Sequence, residues 1–184
     1  LGTGVFSIDD DGPTVEIDSA VTVPTLALDE TDTGAARSVT ADFADNFNAV
    51  AGFDYGTDGA GSVAYALELS ADGLETMMYA VDSSDTQATA DDSDGYGQGD
   101  QILLFAQEDG TIQGRTSLES TDVYFTISVD ADGVVTFEQS STLNLWHDDN
   151  TDSADESATL TLANADDLTL VQTLTDADGD TDTG

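Results

Sequence analysis

The chain has 184 residues, with 39 Asp plus Glu against 2 Lys plus Arg, a formal charge of −37. Such a balance excludes nucleic acid, whose phosphates must be neutralised by Lys and Arg, and it disfavours anionic membrane surfaces. Hydrophobic residues still make up 39% of the chain, enough for a core at this length, so a folded domain with a self-repelling surface is expected rather than disorder.

The opening Leu1-Gly2-Thr3-Gly4 reads as a cut inside a longer polypeptide, without a charged-then-apolar leader. A short strand, Val5–Ile8, runs into Asp9-Asp10-Asp11-Gly12-Pro13. Gly12 permits a sharp bend and Pro13 fixes φ, so three successive carboxylates stand at a rigid corner. They repel one another unless a cation lies between them; the plainer alternative is a solvent-facing turn. Strands Thr14–Asp18 and Val21–Leu28 follow, and Asp29-Glu30-Thr31-Asp32 suits the capping of a strand end. Next come a strand over Ser38–Asp42, a helical turn around Ala41–Phe47, and an irregular Gly/Asp-rich stretch, Phe53–Gly61.

The middle of the chain alternates in period two, with strands over Ser62–Ser70, Met77–Val81, Gln101–Ala106 and Thr111–Arg115. Between them Asp82–Asp100 is long, polar and low in complexity. It contains Asp91-Asp92-Ser93-Asp94-Gly95, which reads equally as part of a flexible insertion or as a calcium loop with Asp92 and Asp94 as candidate ligands, in a unit resembling a single Gly/Asp nonapeptide of a calcium β-roll. The clearest strand is Val123–Val129, with Val123, Phe125, Ile127 and Val129 facing one side. Asp130-Ala131-Asp132-Gly133 then predicts a hairpin turn into Val134–Gln139. Strands over Thr142–Trp146, Ala158–Leu162 and Leu168–Leu174 complete the set, with an acidic connection at His147–Glu156. The expected architecture is all-β, a β-sandwich of immunoglobulin-like or related Greek-key type with long acidic loops.

Aspartate dominates the acids, 31 Asp to 8 Glu, and many stand beside Gly, Ser or Thr. Asp favours turns and caps, so the charge collects in the connections. The sharpest motif is Asp176-Ala177-Asp178-Gly179-Asp180-Thr181-Asp182. Alternate carboxylates supply hard oxygens to a tight loop, and Ca²⁺ takes about 6–8 oxygen ligands. No Glu at a twelfth position and no helix follows, so this is not an EF-hand; a solvated acidic tail is the competing reading. The candidate metal ligands are therefore Asp9, Asp10, Asp11, Asp92, Asp94, Asp176, Asp178 and Asp180.

Enzyme chemistry finds little purchase, and no activity is expected. There is no Cys and no Lys, and the single His147 lies beside Asp148 and Asp149 as a surface residue would. Abundant Asp makes any carboxylate pair for glycoside hydrolysis unspecific. Arg37 and Arg115 are expected to anchor ion pairs in a negative field. Zero Cys also means that no disulfide contributes.

Several stretches, in order along nearly the whole chain, resemble the repeat domains of giant bacterial repeats-in-toxin (RTX) adhesins exported by type I secretion. They are Ile8–Thr14, Leu28-Asp29-Glu30-Thr31, Phe53–Ala60 leading to Val63–Leu67, Gly114-Arg115, Val123–Val129, Trp146-His147-Asp148 and Thr175–Thr181. Asp82–Asp100 departs from the pattern as an insertion. The resemblance implies a secreted protein of the bacterial cell surface, with Ca²⁺ in loops and at junctions between tandem domains, and a role in extension, adhesion or biofilm formation. Residues 1–13 would then be a junction from the preceding repeat, 14–175 the sandwich, and 176–184 a calcium-binding junction to the next. Neighbouring repeats are the implied partners. A sugar or peptide ligand held by loop aromatics such as Tyr96 or Trp146 is a second reading, and an acidic halophilic protein with no specific calcium role is a third.

Overall fold

Alternation in period two becomes a sandwich because each strand has one apolar row that must be covered. The computed structural model describes residues 11–28, 37–47, 52–85, 97–147 and 158–184. Its strands are β1 (Ser38–Asp42), β2 (Ala60–Leu69), β3 (Leu74–Val81), β4 (Gln98–Ala106), β5 (Ile112–Arg115), β6 (Phe125–Val129), β7 (Val134–Gln139), β8 (Leu168–Asp176) and β9 (Thr181–Thr183). One antiparallel sheet runs β1-β7-β6-β5-β4-β3 and the other β2-β8-β9. The domain is an all-β sandwich. A 3₁₀ turn, Ala44–Asn46, stands where the helical turn was expected.

Five successive strands, β3 to β7, form a meander, and β1 closes against β7. Phe125, Ile102, Leu104 and Ile112 are fully buried, and Met78, Ile127, Val135 and Leu145 complete the core cluster. Gly114 makes room for Phe125: a Cβ at this position would stand 2.5 Å from its ring. The β6–β7 turn forms as expected. Asp130 Oδ1 accepts the N–H groups of Asp132 and Val134 at 2.9 and 3.0 Å, and Gly133 takes φ +84°. An aspartate at the first turn position thus replaces backbone partners that the bend removes.

Several expected strands join no ladder among the described residues. Thr14–Asp18 makes only isolated bridges, Thr14 to Asp54 and Ile17 to Phe47. Val21–Leu28 contains Pro24, which has no N–H to give a ladder. In Thr142–Trp146 only Leu145 bridges, to Ala80, and in Ala158–Leu162 Thr161 N–H donates to the Thr76 carbonyl at 2.8 Å. These two stretches lie along β3, whose own ladder breaks between Glu75 and Tyr79. There Met77 takes φ +59°, and the Thr76 hydroxyl donates to the Ile102 carbonyl at 2.6 Å. A side-chain hydroxyl fills the gap that the bulge opens.

The smaller sheet has an inward row on β8 that includes Gln172, Leu174 and Asp176, all buried. The third of these is a carboxylate where the pattern of the strand would put an apolar side chain. β9 was not expected from its sequence, Thr-Asp-Thr. It pairs with β8 in the register Thr173–Thr183, Leu174–Asp182 and Thr175–Thr181.

Candidate metal centre

Asp176 is the last residue of β8 and is only 3% exposed. Its Oδ1 accepts two N–H groups of the following turn, from Gly179 at 2.9 Å and Asp180 at 2.8 Å. Its backbone N–H donates to the Asp180 carbonyl at 3.0 Å, closing the same turn. Gly179, at φ +107°, supplies the backbone geometry that allows this tight return. Asp176 Oδ2 is also buried and has no hydrogen-bond partner among the described residues. A buried acceptor left unpaired is costly, and more so when it carries charge.

Two further carboxylates come close to that of Asp176. Asp58, Asp176 and Asp178 each offer one oxygen, and these three oxygens lie within 4.8 Å of one another. Asp178 comes from the β8–β9 turn, whereas Asp58 comes from the irregular stretch before β2. The pairing of β2 with β8 sets them together: Ala60 lies opposite Asp176, a register shift follows at Gly61, and Ala177 N–H donates to the Gly59 carbonyl at 3.0 Å. Gly61 is needed at this crossing, because a Cβ there would overlap the backbone of Thr175 and Asp176.

The N-terminal acidic corner reaches the same end of the domain. Thr14 N–H donates to the Asp54 carbonyl at 2.9 Å, and Val15 N–H donates to Asp182 Oδ2 at 2.8 Å. Gly56, at φ +69°, packs its Cα face on the Asp11 carbonyl, and Gly12 lies beside the Asp180 side chain. Pro13 is buried between these contacts. The two ends of the described chain are thus tied to one another and to the loop ahead of β2.

Of the expected metal ligands, Asp176 and Asp178 belong to the converging group. Asp180 contributes its backbone to the turn, and Asp11 its carbonyl to the contact with Gly56; neither carboxylate is in the group of three. Asp9, Asp10, Asp92 and Asp94 lie outside the described residues, as do Val5–Ile8, Asp29–Asp32, Tyr96 and most of the His147–Glu156 connection. Asp58 was missed. Its signal in the sequence was a Gly/Asp-rich stretch joining two strands, without the alternate carboxylates that mark the C-terminal loop.

Many other aspartates serve the backbone instead. Asp18, Asp42, Asp54, Asp82 and Asp109 each accept an N–H two residues ahead, as Asp130 does. Hydrogen bonds from Ser84, Thr111 and Ser70 hold the carboxyls of Asp82, Asp109 and Asp167 below the usual value of 3.8. The two arginines grip carbonyl oxygens: Arg37 that of Ser140 at 2.9 Å, and Arg115 those of Leu118 and Ser120, both at 3.3 Å. Arg115 also stacks over the Phe105 ring at 4.7 Å. Trp146 packs edge-on against Tyr79, 6.1 Å between centroids, and its backbone N–H donates to the Tyr79 carbonyl at 2.8 Å.

Residues 25–184 match the family model described as a domain of unknown function, DUF5801. The chain belongs to the DUF5801 family. The match takes in both sheets, Asp58 and the whole β8–β9 turn, so the converging carboxylates fall inside the DUF5801 domain. No match was found among curated proteins or among solved structures.

The donors of this DUF5801 centre are all carboxylate oxygens. Hard oxygen donors suit Ca²⁺, Mg²⁺ or Mn²⁺ rather than zinc or copper. With Ca–O distances of about 2.3–2.6 Å, two ligands of one ion stand up to roughly 5 Å apart, which the spread of these oxygens meets. The three would leave part of a calcium shell to carbonyls and water. A divalent cation here would complete Asp176 Oδ2, offset the repulsion among the three carboxylates, and join the β8–β9 turn to the loop ahead of β2.

Proposed function

We propose that this DUF5801 domain is a calcium-dependent, non-enzymatic module of a secreted bacterial adhesin of the RTX type, serving as an extender or scaffold at the cell surface. The observation that carries the reading is the buried, unpartnered Oδ2 of Asp176, on a carboxylate that has one oxygen within 4.8 Å of oxygens of Asp58 and Asp178. The resemblance of the chain's acidic ends and central strands to RTX repeat domains supplies the biological setting. Neighbouring repeats of the same polypeptide are its partners in this reading, and Ca²⁺ its cofactor.

The mechanism is electrostatic. Where calcium is scarce, clustered carboxylates repel and the turn after β8 opens easily. Where calcium is at millimolar levels, the ion binds the native state and not the unfolded chain, so it stabilises the fold by mass action. Because the ligands come from the loop ahead of β2 and from the far end of β8, the ion fastens together two parts distant in sequence. The contacts of Thr14 and Val15 with Asp54 and Asp182 carry this stiffening to the N-terminal segment.

The test is calorimetric titration of calcium into chelator-treated protein, with parallel melting curves in EDTA, in calcium and in concentrated KCl. Saturable calcium binding and a melting temperature raised by calcium but not equally by KCl are expected. Equal stabilisation by KCl with chelator present would replace this reading with a halophilic one, in which carboxylates serve solubility. No heat of binding and no shift in melting would end it.

A further inference from the structure

Between the two sheets lies a cavity of about 620 Å³, within the roughly 300–1,000 Å³ typical of small-molecule sites. Its walls are mostly aliphatic and aromatic. Leu67 and Leu170 come from the smaller sheet, Val135 and Phe137 from the larger, and Leu26 and Leu160 from segments outside the ladders. Leu26, Leu67, Phe137, Leu160 and Leu170 pack against the core yet stay only partly buried, as side chains do where facing sheets stand apart. Water is a poor occupant of such a space, because each molecule needs about 2–4 polar partners. An apolar cavity of about 150 Å³ stays dry and takes up benzene or xenon, and this chamber is about four times as large.

The polar side chains around the chamber set what a guest can carry. Gln139 belongs to the wall, but both its amide nitrogen and its amide oxygen are sealed inside the protein and are not presented to a guest. Three threonines remain among the described lining residues. Thr25 and Thr159 are exposed and Thr169 is half-buried, so hydroxyls stand where the chamber meets solvent. Shape narrows the choice further. Phe137 on β7 and Met78 on β3 both line the chamber, and those strands are four places apart in the larger sheet, about 19 Å along it at roughly 4.7–4.9 Å per strand. A space drawn out in this way suits a hydrocarbon chain better than a compact ring.

We propose that this cavity binds an uncharged medium-chain aliphatic alcohol, its hydrocarbon between Leu67, Leu170 and Phe137 and its hydroxyl at the threonines. A hydroxyl both donates and accepts, as the threonine side chains do. Charge decides against the carboxylate analogue. Among the described lining residues there is no Lys, Arg or His to pair with it, and a protein of net charge −37 repels an anion entering a low-dielectric interior. This site is independent of the acidic turn, so failure of the calcium reading would leave it standing.

The probes are 1-butanol, 1-hexanol, 1-octanol and octanoate at neutral pH, titrated calorimetrically into the chain and followed by ligand-observed NMR. Octanol is expected to bind saturably, with octanoate at least about tenfold weaker, the scale of one charged group left without a partner. Affinity is expected to rise about fourfold for each methylene from butanol to octanol, as burial of one CH₂ group predicts. Leu170→Trp, which fills the chamber from the smaller sheet, is expected to abolish binding; if this variant does not fold, the chain-length series on the parent carries the test. Absent saturable binding of octanol, equal affinity for octanoate, affinity that does not grow with chain length, or unchanged affinity in folded Leu170→Trp would overturn the proposal.

Discussion

Replacing Asp176 with asparagine separates two jobs performed by one carboxylate. Oδ1 holds the turn through Gly179 and Asp180 N–H groups at 2.9 and 2.8 Å, and an asparagine carbonyl can keep both bonds. Oδ2, buried and unpartnered, would become an NH₂ group on a side chain flanked by the carboxylates of Asp58 and Asp178. In EDTA the variant should therefore melt at or above the parent, because a repelling buried charge has gone. In calcium the order should reverse. Taking a dissociation constant on the order of 10⁻⁴–10⁻³ M, as in extracellular modules, calcium at about 10 mM stabilises the parent by about 1.4–2.7 kcal/mol. For a domain of this length each kcal/mol moves the melting temperature by about 2–4 °C, so the parent should gain about 3–11 °C and the variant little of it. Circular dichroism melts of both proteins in both buffers read the crossing directly. A variant that gains as much from calcium as the parent, or a parent that gains nothing, would refute the assignment of Oδ2 as a ligand.

Other substitutions test neighbouring parts of the structure. Asp58→Asn changes an exposed loop residue, so its stability in EDTA should stay within about 0.5 kcal/mol of the parent while the calcium-induced rise in melting temperature falls. Phe125→Ala empties the centre of the core and should cost about 3–5 kcal/mol in urea denaturation. Gly114→Ala places a methyl 2.5 Å from the Phe125 ring and should cost about 1–3 kcal/mol by overpacking in the same assay. The carboxyl of Asp167 lies below its ordinary value because Ser70 and Asn164 donate to it. A depressed folded-state pKa adds stability that is complete above the unfolded value of 3.8 and is lost as pH falls through the lower folded one. The advantage of the parent over Asp167→Asn, measured by urea denaturation across pH, should thus be constant above about pH 5 and shrink below about pH 4.

How much of this was visible beforehand follows from the range of each interaction. The strand Val123–Val129 and its Asp130–Gly133 turn rest on neighbours within a few residues, so alternation and turn chemistry suffice to predict them. Thr14–Asp18, Val21–Leu28 and Ala158–Leu162 have the same β-rich composition but make bridges or no ladder, because pairing depends on whether a partner edge is available in space. β9 is the converse case: Thr181-Asp182-Thr183 has no apolar signal, and it becomes a strand because the turn held by Asp176 delivers it alongside β8.

Composition alone determined that this polypeptide repels polyanions, lacks disulfides, and must place its charge in turns, since those properties belong to residue types and short spacings. It also marked Asp176 and Asp178. Only the tertiary structure chose Asp58 as their companion, left Asp180 to the backbone of the turn, and buried Gln139 in an apolar wall. Those outcomes depend on the register between β2 and β8 and on the separation of two sheets, which are set by contacts between residues far apart along the chain.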